Sequence, residues 1–277
     1  MRILILGAGK MGTFLTDVLC MKHDVALYDK DSKKLRFVFN TQRMTSLEEV
    51  KEFKPELLIN AVTVKYTIQA FEEVLPYLPK DCIISDISSV KTTLPDFYAK
   101  CGFRFVSTHP MFGPTFASLS DLRTQNAIII EESDCLGKAF FKDLYNSLHL
   151  NLFEYTFKEH DETMAYCLSI PFASTLAFAS VMKHQDAPGT TFKRHMAIAE
   201  GVLSEDNFLI SEILFNPNST KQLALIQEQL AELQEIVKSK DYDRMLAYLG
   251  KARVYQIISY IDLMRLSDTF GQPFFIF

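Results

Sequence analysis

The chain has 277 residues, of which 48% are hydrophobic and 23% are charged, and its formal net charge is −5. This composition is that of an ordinary soluble globular protein, long enough for one large domain or two smaller ones. Because the chain has no net positive charge to attract nucleic acid, we expect no nucleic-acid partner.

The first half of the chain alternates short apolar segments with helix-length segments. Most of the apolar segments are continuous runs of Ile, Leu and Val, typical of strands that are covered on both faces. Their spacing predicts βαβ units in a mostly parallel sheet. The predicted strands are residues 3–6, 25–28, 57–62, 82–86, 103–106, 127–130 and 150–155.

A glycine-rich loop follows the first predicted strand. Residues 7–12 read GAGKMG, a complete G-x-G-x-x-G pattern that opens a helical segment. The first glycine permits a tight turn, the second leaves room for a pyrophosphate, and the third lets the helix pack close to the sheet. Free backbone amides at the start of the helix then bind the anion. The sequence therefore predicts a dinucleotide site at Gly7, Ala8, Gly9, Lys10, Met11 and Gly12.

The second predicted strand is followed by Asp29, about 20 residues after the loop, where an acidic side chain binds the adenosine ribose. A carboxylate at this position repels a 2′-phosphate, so we predict NAD rather than NADP. We also assign Val62 and Ser88 to the cofactor site. NADP stays open as an alternative because four basic residues follow Asp29: Lys30, Lys33, Lys34 and Arg36.

Two further segments lie at predicted strand ends, SDISSVK at residues 85–91 and STHPMFGP at residues 107–114. Ligands of open α/β sheets bind outside the carboxyl ends of the strands. If the sheet order brings these two ends together, Ser88 or Ser89 reaches the imidazole of His109. Hydride removal from a carbinol carbon leaves a hydroxyl proton, and a neutral histidine titrates in the right range to accept it. His109 is therefore the candidate catalytic base.

After about residue 159 the sequence is helical in its periodicity. The most apolar stretch, residues 167–182, is shorter than a membrane span of about 20 residues and is predicted to be a buried helix. Ser219 and Gln222 form a predicted capping box. An apolar seam, which packs in the core or against a second subunit, follows at Leu223, Ile226, Leu230, Leu233 and Val237. The apolar tail at residues 274–277 is also expected to be buried against protein rather than exposed to water.

These patterns predict a Rossmann-type α/β domain, with a mostly parallel sheet and helices on both faces, followed by an all-helical dimerisation domain. We place the two domains at residues 1–157 and 158–277. Strand-like sequence begins at Arg2, which leaves no room for a signal peptide, so we expect a cytoplasmic protein. The scattered cysteines predict reduced, mostly buried thiols rather than disulfides or a zinc site: Cys20, Cys82, Cys101, Cys135 and Cys167.

In their order along the chain, GAGKMG, DISSVK, HPMFGP and EHDETMA resemble the motifs of the prephenate dehydrogenase family of tyrosine biosynthesis, which includes arogenate dehydrogenases. The resemblance spans essentially the whole chain. It implies oxidative decarboxylation of prephenate to 4-hydroxyphenylpyruvate, with hydride transfer to NAD. His109 matches the family's catalytic histidine, and Ser89 matches a serine that orients the site. The family's helical domain normally pairs two subunits, which implies a homodimer.

The sequence departs from the family pattern at two positions. Phe172 stands where the family commonly has a histidine near the substrate. Gly201 or Val202 stands where the family has an arginine that binds a substrate carboxylate. These departures leave both prephenate and arogenate open as the substrate.

Arg194, with Lys193 and His195 beside it, is a candidate replacement for the missing arginine. The alternative is that these residues form a solvated basic patch on a helix. His160 is interpreted as a structural residue that braces the domain boundary together with Asp161.

Two other functions stay open. Another β-hydroxyacid or imine dehydrogenase has a Rossmann domain followed by helices, but such enzymes typically use a lysine on a helix as the acid/base. A non-catalytic NAD-binding regulator needs the glycine loop but has no use for a preset histidine and serine. We therefore predict an NAD-dependent oxidoreductase that acts on a small molecule, with no metal and no membrane partner.

Overall fold

The computed structural model describes residues 1–39, 41–113 and 122–253. Pro114 of the STHPMFGP segment and the apolar tail at residues 274–277 lie outside the described residues. Within them, one sheet is formed by strands β1 Arg2–Leu6, β2 Asp24–Tyr28, β3 Gln42–Met44, β4 Leu57–Asn60, β5 Ile83–Asp86, β6 Arg104–Pro110, β7 Asn126–Ile130 and β8 Asn151–Tyr155.

The strand order in the sheet is β3-β2-β1-β4-β5-β6-β7-β8. Strands β1 to β6 run parallel, β7 pairs antiparallel with β6, and β8 runs parallel with β7. All seven predicted strands are present. An eighth strand, β3, was not predicted; it is a short edge strand in which only Met44 is buried. The predicted fold class, a mostly parallel sheet followed by helices, is confirmed.

The α-helices with both ends in the described residues are α1 Lys10–Leu19, α2 Val50–Phe53, α3 Thr67–Val74, α4 Leu94–Cys101, α5 Cys135–Ser147, α6 Phe157–Met164, α7 Ile170–Val181, α8 Thr190–Leu203, α9 Asn207–Leu214 and α10 Ser219–Ser239. Residues 242–253 are also helical. Short 3-10 turns cover Ser32–Phe37, Leu47–Glu49, Val64–Tyr66, Leu75–Tyr77 and Leu122–Thr124, and a π-helical turn covers Ala165–Ser169.

Helices cover both faces of the sheet. On one face, Leu15 of α1 and Phe141 of α5 belong to a buried apolar cluster with the strands. On the other face, Phe71 of α3 and Leu94 of α4 belong to a second cluster. The continuous Ile, Leu and Val runs of the central strands therefore bury both of their faces, as the sequence pattern predicts.

The helical run Phe157–Val181 differs from its prediction. It has 25 residues, and an 18-residue window within it has a mean hydropathy of 1.5, so by length and composition alone it is long and apolar enough to cross a membrane. No residue of α7 is buried in the described structure. The prediction that residues 167–182 form a buried helix is therefore wrong for the single chain. Length and composition do not distinguish a membrane span from a helix covered by a second protein chain.

The predicted capping box at the start of α10 is also wrong. The Ser219 hydroxyl contacts the Ser169 hydroxyl at 2.6 Å and donates to the Ile213 carbonyl at 3.2 Å, rather than capping the helix. Oε1 of Gln222 is buried without a hydrogen-bond partner among the described residues. Burial of Ser219 against other hydroxyl and carbonyl groups takes its side chain away from the amides of its own helix.

Two compact units are distinguished by their contacts, Met1–Gln222 and, in its described part, the segment from Leu223 onward. In the second unit the predicted seam is largely exposed, at Leu223, Leu230 and Val237. Every candidate site residue lies in the first unit. In the described residues every element after β8 is helical, and the division into domains at residue 157 stays a prediction.

Candidate active site

The glycine loop joins β1 to α1 through backbone that only glycine adopts easily. Gly7 has φ +96° and donates its N–H to the Tyr28 carbonyl at 2.8 Å. A Cβ on Gly7 would lie 2.9 Å from the Ala61 carbonyl oxygen, and a Cβ on Gly12 would overlap the Gly7 carbonyl. A Cβ on Gly9, in contrast, would meet nothing within 4 Å. Packing of the loop therefore requires Gly7 and Gly12, while Gly9 leaves open space in front of the loop.

The first turn of α1 faces that space. Gly9 is the N-cap residue, and no side chain caps the free amides of the helix start. Lys10 is exposed and Met11 packs against the core beneath the loop. A cavity of about 520 Å³ adjoins the loop and is lined by residues that include Gly7, Gly9, Asp29 and Val62. The structure thus brings together the main predicted cofactor residues around one anion-binding helix end.

Asp29 lies at the edge of this cavity, just after β2. Its Oδ1 accepts a hydrogen bond from the Asp31 N–H at 2.8 Å. Of the basic residues nearby, Lys30 pairs with Glu73 at 2.7 Å and Lys34 lies 3.5 Å from Asp29 itself. Lys33 and Arg36 are exposed. Two of the four candidate phosphate ligands therefore already have acidic partners.

His109 lies within β6 rather than in a turn after it, which corrects the predicted strand end at residue 106. The strand is longer because Thr108, His109 and Pro110 pair with β7. Nδ1 of His109 lies 3.0 Å from Nε2 of His160, and Nδ1 of His160 lies 3.1 Å from Oδ1 of Asp161. His160 has no exposed surface, whereas 6% of His109 remains exposed, so His109 is the member of the pair that a ligand can reach.

A buried ion pair lies beneath the two histidines. The ammonium of Lys91 contacts the carboxylate of Asp86, and both side chains are fully buried. Lys91 also donates to the Thr108 carbonyl at 2.7 Å, and the Tyr98 hydroxyl donates to Asp86 Oδ1 at 2.7 Å. The Thr108 hydroxyl contacts the Tyr145 hydroxyl at 2.8 Å. This network fixes the backbone of β6 immediately before His109.

Burial controls the protonation of these groups. Desolvation lowers the pKa of His109 well below its usual value of 6.5, and the neighbouring His160 and Lys91 lower it further. Burial also lowers the pKa of His160, against the opposing effect of its hydrogen bond to Asp161. The pKa of Lys91 is lowered by burial and raised by Asp86. His109 is therefore a neutral imidazole near pH 7, as a general base must be.

The two predicted serines and the three basic residues of α8 make no hydrogen bond to His109 in the described part of the structure. The Ser88 hydroxyl donates to the Val90 carbonyl at 2.9 Å, and Ser88 lines a separate cavity of about 670 Å³. Ser89 is half-buried, and its hydroxyl has no hydrogen bond to any residue that the structure describes. Lys193, Arg194 and His195 are exposed on α8.

Three features of the site were missed from the sequence: the contact of His160 with His109, and the buried residues Asp86 and Lys91. The quoted motifs contained all of them, in DISSVK and EHDETMA. A lysine is rarely buried unless it is paired, so composition alone favours an exposed Lys91. The available signal was Asp86, an acidic residue at the end of the preceding strand that can pair with Lys91.

In the described part of the chain, no group of three or more His, Cys, Asp or Glu residues is placed to hold a metal ion. All five cysteines are free thiols. Only Cys82 is fully buried, while Cys135 and Cys167 are exposed, so the expectation of mostly buried thiols is wrong.

Comparison with known proteins identifies the sheet-containing part of the chain. Residues 16–149 match the family described as "Prephenate dehydrogenase, nucleotide-binding domain". This segment is similar to the nucleotide-binding domain of the prephenate dehydrogenase family. The match confirms the resemblance drawn from the motifs.

Two curated relatives carry related names. The chain is 24% identical over 214 residues to a probable arogenate/prephenate dehydrogenase of Methanocaldococcus jannaschii, and this alignment covers 72% of the chain and 47% of the relative. It is 24% identical over 190 residues to the T-protein of Enterobacter agglomerans, covering 65% of the chain and 49% of the relative. The chain thus spans about half the length of the curated relatives that it matches.

Solved structures extend the similarity of fold to nearly the whole chain. Prephenate dehydrogenase from Aquifex aeolicus, solved with hydroxyphenyl propionate and NAD⁺, has a TM-score of 0.79 at 19% identity and covers 93% of this chain and 97% of its own. Arogenate dehydrogenase from Synechocystis has a TM-score of 0.74 at 15% identity, and the alignment covers 94% of this chain and 100% of the Synechocystis chain. At these identities the similarity shows the fold of the prephenate dehydrogenases.

Proposed function

We propose that the chain is an NAD-dependent prephenate dehydrogenase that converts prephenate to 4-hydroxyphenylpyruvate and carbon dioxide in tyrosine biosynthesis. The observation that carries the proposal is the neutral, buried His109 at the carboxyl end of β6, in a chain of this family. A regulator that only binds a dinucleotide has no use for such a base.

The residues around the glycine loop fit a dinucleotide. The open space at Gly9 and the uncapped amides of α1 suit a pyrophosphate, and Asp29 at the edge of the same cavity suits a ribose. NAD bound there supplies the acceptor for a hydride. NAD rather than NADP is proposed because the Asp29 carboxylate repels a 2′-phosphate and because Lys30 and Lys34 already have acidic partners.

His109 performs the proton chemistry. As the hydride leaves the carbinol carbon of prephenate, His109 accepts the hydroxyl proton, and the ring loses its carboxylate as carbon dioxide when it becomes aromatic. Burial and the Lys91 ammonium keep the imidazole neutral before the reaction. A well-placed base of this kind contributes about 10²–10⁴-fold to the rate. Ser89, half-buried in the loop after β5, is proposed to help orient the substrate hydroxyl.

Arogenate is the second candidate substrate. Prephenate and arogenate differ in the side chain, and the two departures from the family pattern, Phe172 and the absence of an arginine at Gly201 or Val202, concern the residues that contact the substrate. We propose that Arg194, with Lys193 and His195 beside it, supplies the cation for a substrate carboxylate. Its exposed position on α8 leaves the guanidinium accessible to a ligand.

We further propose a cytoplasmic homodimer formed through residues after about 160. The apolar helix α7 has no buried residue in the single chain, and Ile198 and Leu203 of α8 are also exposed. An apolar surface of this kind needs cover, and a second copy supplies it without a membrane.

The test is a two-by-two assay of NADH or NADPH formation, with prephenate or arogenate as substrate and NAD or NADP as cofactor. We expect the highest kcat/KM with prephenate and NAD. Higher kcat/KM with arogenate would indicate that the protein is an arogenate dehydrogenase. Binding of NAD without turnover of either substrate would indicate a regulator, and turnover of simple β-hydroxyacids alone would indicate the other dehydrogenase class.

A further inference from the structure

Three side chains form a continuous hydrogen-bonded chain that leads away from His109 into the protein. His109 contacts His160 through Nδ1, and His160 contacts Asp161 through its own Nδ1. None of the sequence motifs assigns a role in the reaction to His160 or Asp161. We propose that Asp161 and His160 are positioning residues that hold His109 in the tautomer with its proton on Nδ1, which leaves the Nε2 lone pair to accept the substrate proton.

Asp161 sets the direction of the hydrogen bonds in this chain of side chains. An ionised carboxylate only accepts hydrogen bonds, so the proton of the 3.1 Å contact belongs to Nδ1 of His160. A neutral imidazole carries one N–H, so Nε2 of the same ring is an acceptor. The 3.0 Å contact between the two rings then requires Nδ1 of His109 to be the donor. Nε2 of His109 is left without a proton.

The assignment depends on both rings being neutral, and their surroundings favour this. His160 is fully buried on α6, and burial lowers the pKa of both histidines. The charged groups that face the pair from the β5–α4 segment are Asp86 and Lys91. The Lys91 ammonium already donates to Asp86 and to the Thr108 carbonyl, so it serves as an electrostatic neighbour and not as a third hydrogen-bond partner of His109.

The local sequence places His160 in register. Thr156 is the N-cap of α6, and Thr156 and Glu159 form a capping box, with Glu159 accepting from the Thr156 N–H at 2.8 Å. This fixes the start of the helix, so that His160 lies one turn inside it. The ring of Phe157 packs near Phe105 of β6, at 6.1 Å between centroids. The same turn that docks α6 on the sheet therefore carries His160 to His109.

The hydrogen-bonded side chains of His160 and Asp161 also assist the proton transfer, a role that rests on the proposed function. When His109 Nε2 accepts the substrate proton, the ring becomes an imidazolium whose Nδ1–H still donates to His160. The hydrogen bond to a charged donor is stronger than that to a neutral one. Asp161 orients His160 for this purpose and does not itself take a proton, the same division of roles as in a Ser-His-Asp triad.

The test of the tautomer uses the free protein and no substrate. Long-range ¹H–¹⁵N correlation spectra of histidine-labelled protein at neutral pH distinguish Nδ1–H from Nε2–H rings. We expect His109 and His160 both to be Nδ1–H. An Nε2–H tautomer at His109 overturns the proposal, whether or not the protein oxidises prephenate, so this result is separate from failure of the proposed function.

Matched variants test the consequence for turnover. His160→Gln keeps an acceptor near the position of Nε2, whereas His160→Leu removes it. We expect His160→Leu to lower kcat by at least about 10-fold, and by no more than the roughly 10²–10⁴-fold expected for loss of the base itself. His160→Gln is expected to recover most of that loss, with KM and NAD affinity little changed in both. Equal kcat in His160→Leu and the unaltered protein, or equal loss in both variants with normal thermal unfolding, would reject the positioning role.

Discussion

Oδ2 of Asp29 accepts a hydrogen bond from the backbone N–H of Ala8 at 2.8 Å. The residue proposed to bind the adenosine ribose thus also holds the glycine loop against the end of β2. The proposed choice of cofactor and the observed geometry of the glycine loop therefore depend on the same side chain.

This link separates two substitutions of Asp29. Asp29→Asn removes the charge that repels a 2′-phosphate but keeps an oxygen that accepts from Ala8. Asp29→Ala removes both. We expect NAD to be preferred by the unaltered protein, and both variants to narrow the gap between NAD and NADP in kcat/KM. Asp29→Ala is expected to weaken NAD binding more than Asp29→Asn, as measured by fluorescence titration. Equal use of NAD and NADP by the unaltered protein would contradict the assignment.

The lowered pKa of His109 predicts the pH dependence of the reaction. The base works only when neutral, so kcat/KM falls as pH drops through the His109 pKa. Because burial, His160 and Lys91 lower this pKa, the fall is expected below the usual value of 6.5. His109→Asn should lower kcat by about 10²–10⁴-fold, remove the acid limb and leave NAD affinity nearly unchanged. Near-normal turnover in His109→Asn would mean that the histidine only satisfies the end of the strand.

Asp86 and Lys91 are both fully buried, and each compensates the charge of the other. We therefore expect removal of one partner alone to destabilise the fold. Lys91→Met leaves a buried carboxylate without its cation, which typically costs about 3–5 kcal/mol of unfolding free energy. The double variant Asp86→Asn, Lys91→Met should be more stable than Lys91→Met alone in urea unfolding. As a control, Lys30→Met at the exposed pair with Glu73 should change the unfolding free energy by no more than about 1 kcal/mol. A double variant less stable than Lys91→Met would count against this explanation.

Arg194 is expected to act in substrate binding only. Arg194→Ala should raise the KM for prephenate while kcat changes little, the pattern of lost uniform binding. Lys221→Ala, at an exposed lysine of α10 with no assigned role in binding, is the control for loss of positive charge alone. If Arg194→Ala had an unchanged KM, the basic residues of α8 would be a solvated patch.

The oligomeric state is testable by light scattering at micromolar concentration. We expect twice the mass of one chain. Ile198→Asp places a charge on the exposed apolar surface of α8 and should shift the mass toward the monomer. Met21→Asp, at a more exposed apolar residue in the turn after α1, should not. A monomeric mass for the unaltered protein would contradict the proposed dimer.

The sequence was sufficient for the sheet because burial on both faces demands continuous apolar runs, which are visible without a structure. It was sufficient for Gly7 and Gly12, because their close approaches leave no room for a side chain. The short edge strand β3 was missed because it buries only Met44, too little to give a pattern. Reversal of β7 relative to β6 was not specified, since strand direction depends on connections rather than on local composition.

The contact between His109 and His160 was beyond reach for a different reason. The two residues are 51 positions apart, and their meeting depends on how α6 docks on the sheet. The exposure of α7 likewise has no local signal, because an apolar helix has the same sequence whether its own chain or another one covers it. Tertiary packing decided both, and a single sequence contains no direct record of it.

The π-helical turn at Ala165–Ser169 changes the phase of an otherwise continuous helix. A π turn holds one residue more than an α turn, so every side chain after it is rotated by about 100° from its α-helical position. Before the turn, α6 presents His160 to the sheet. After the turn begins, Ser169 presents its hydroxyl to Ser219 and to the Ile213 carbonyl. One continuous helix thereby packs against the sheet at His160 and against the Ser219 region at Ser169. Deletion of one residue from the π turn would restore α-helical pairing, and the side chains after the turn would then face away from their present partners.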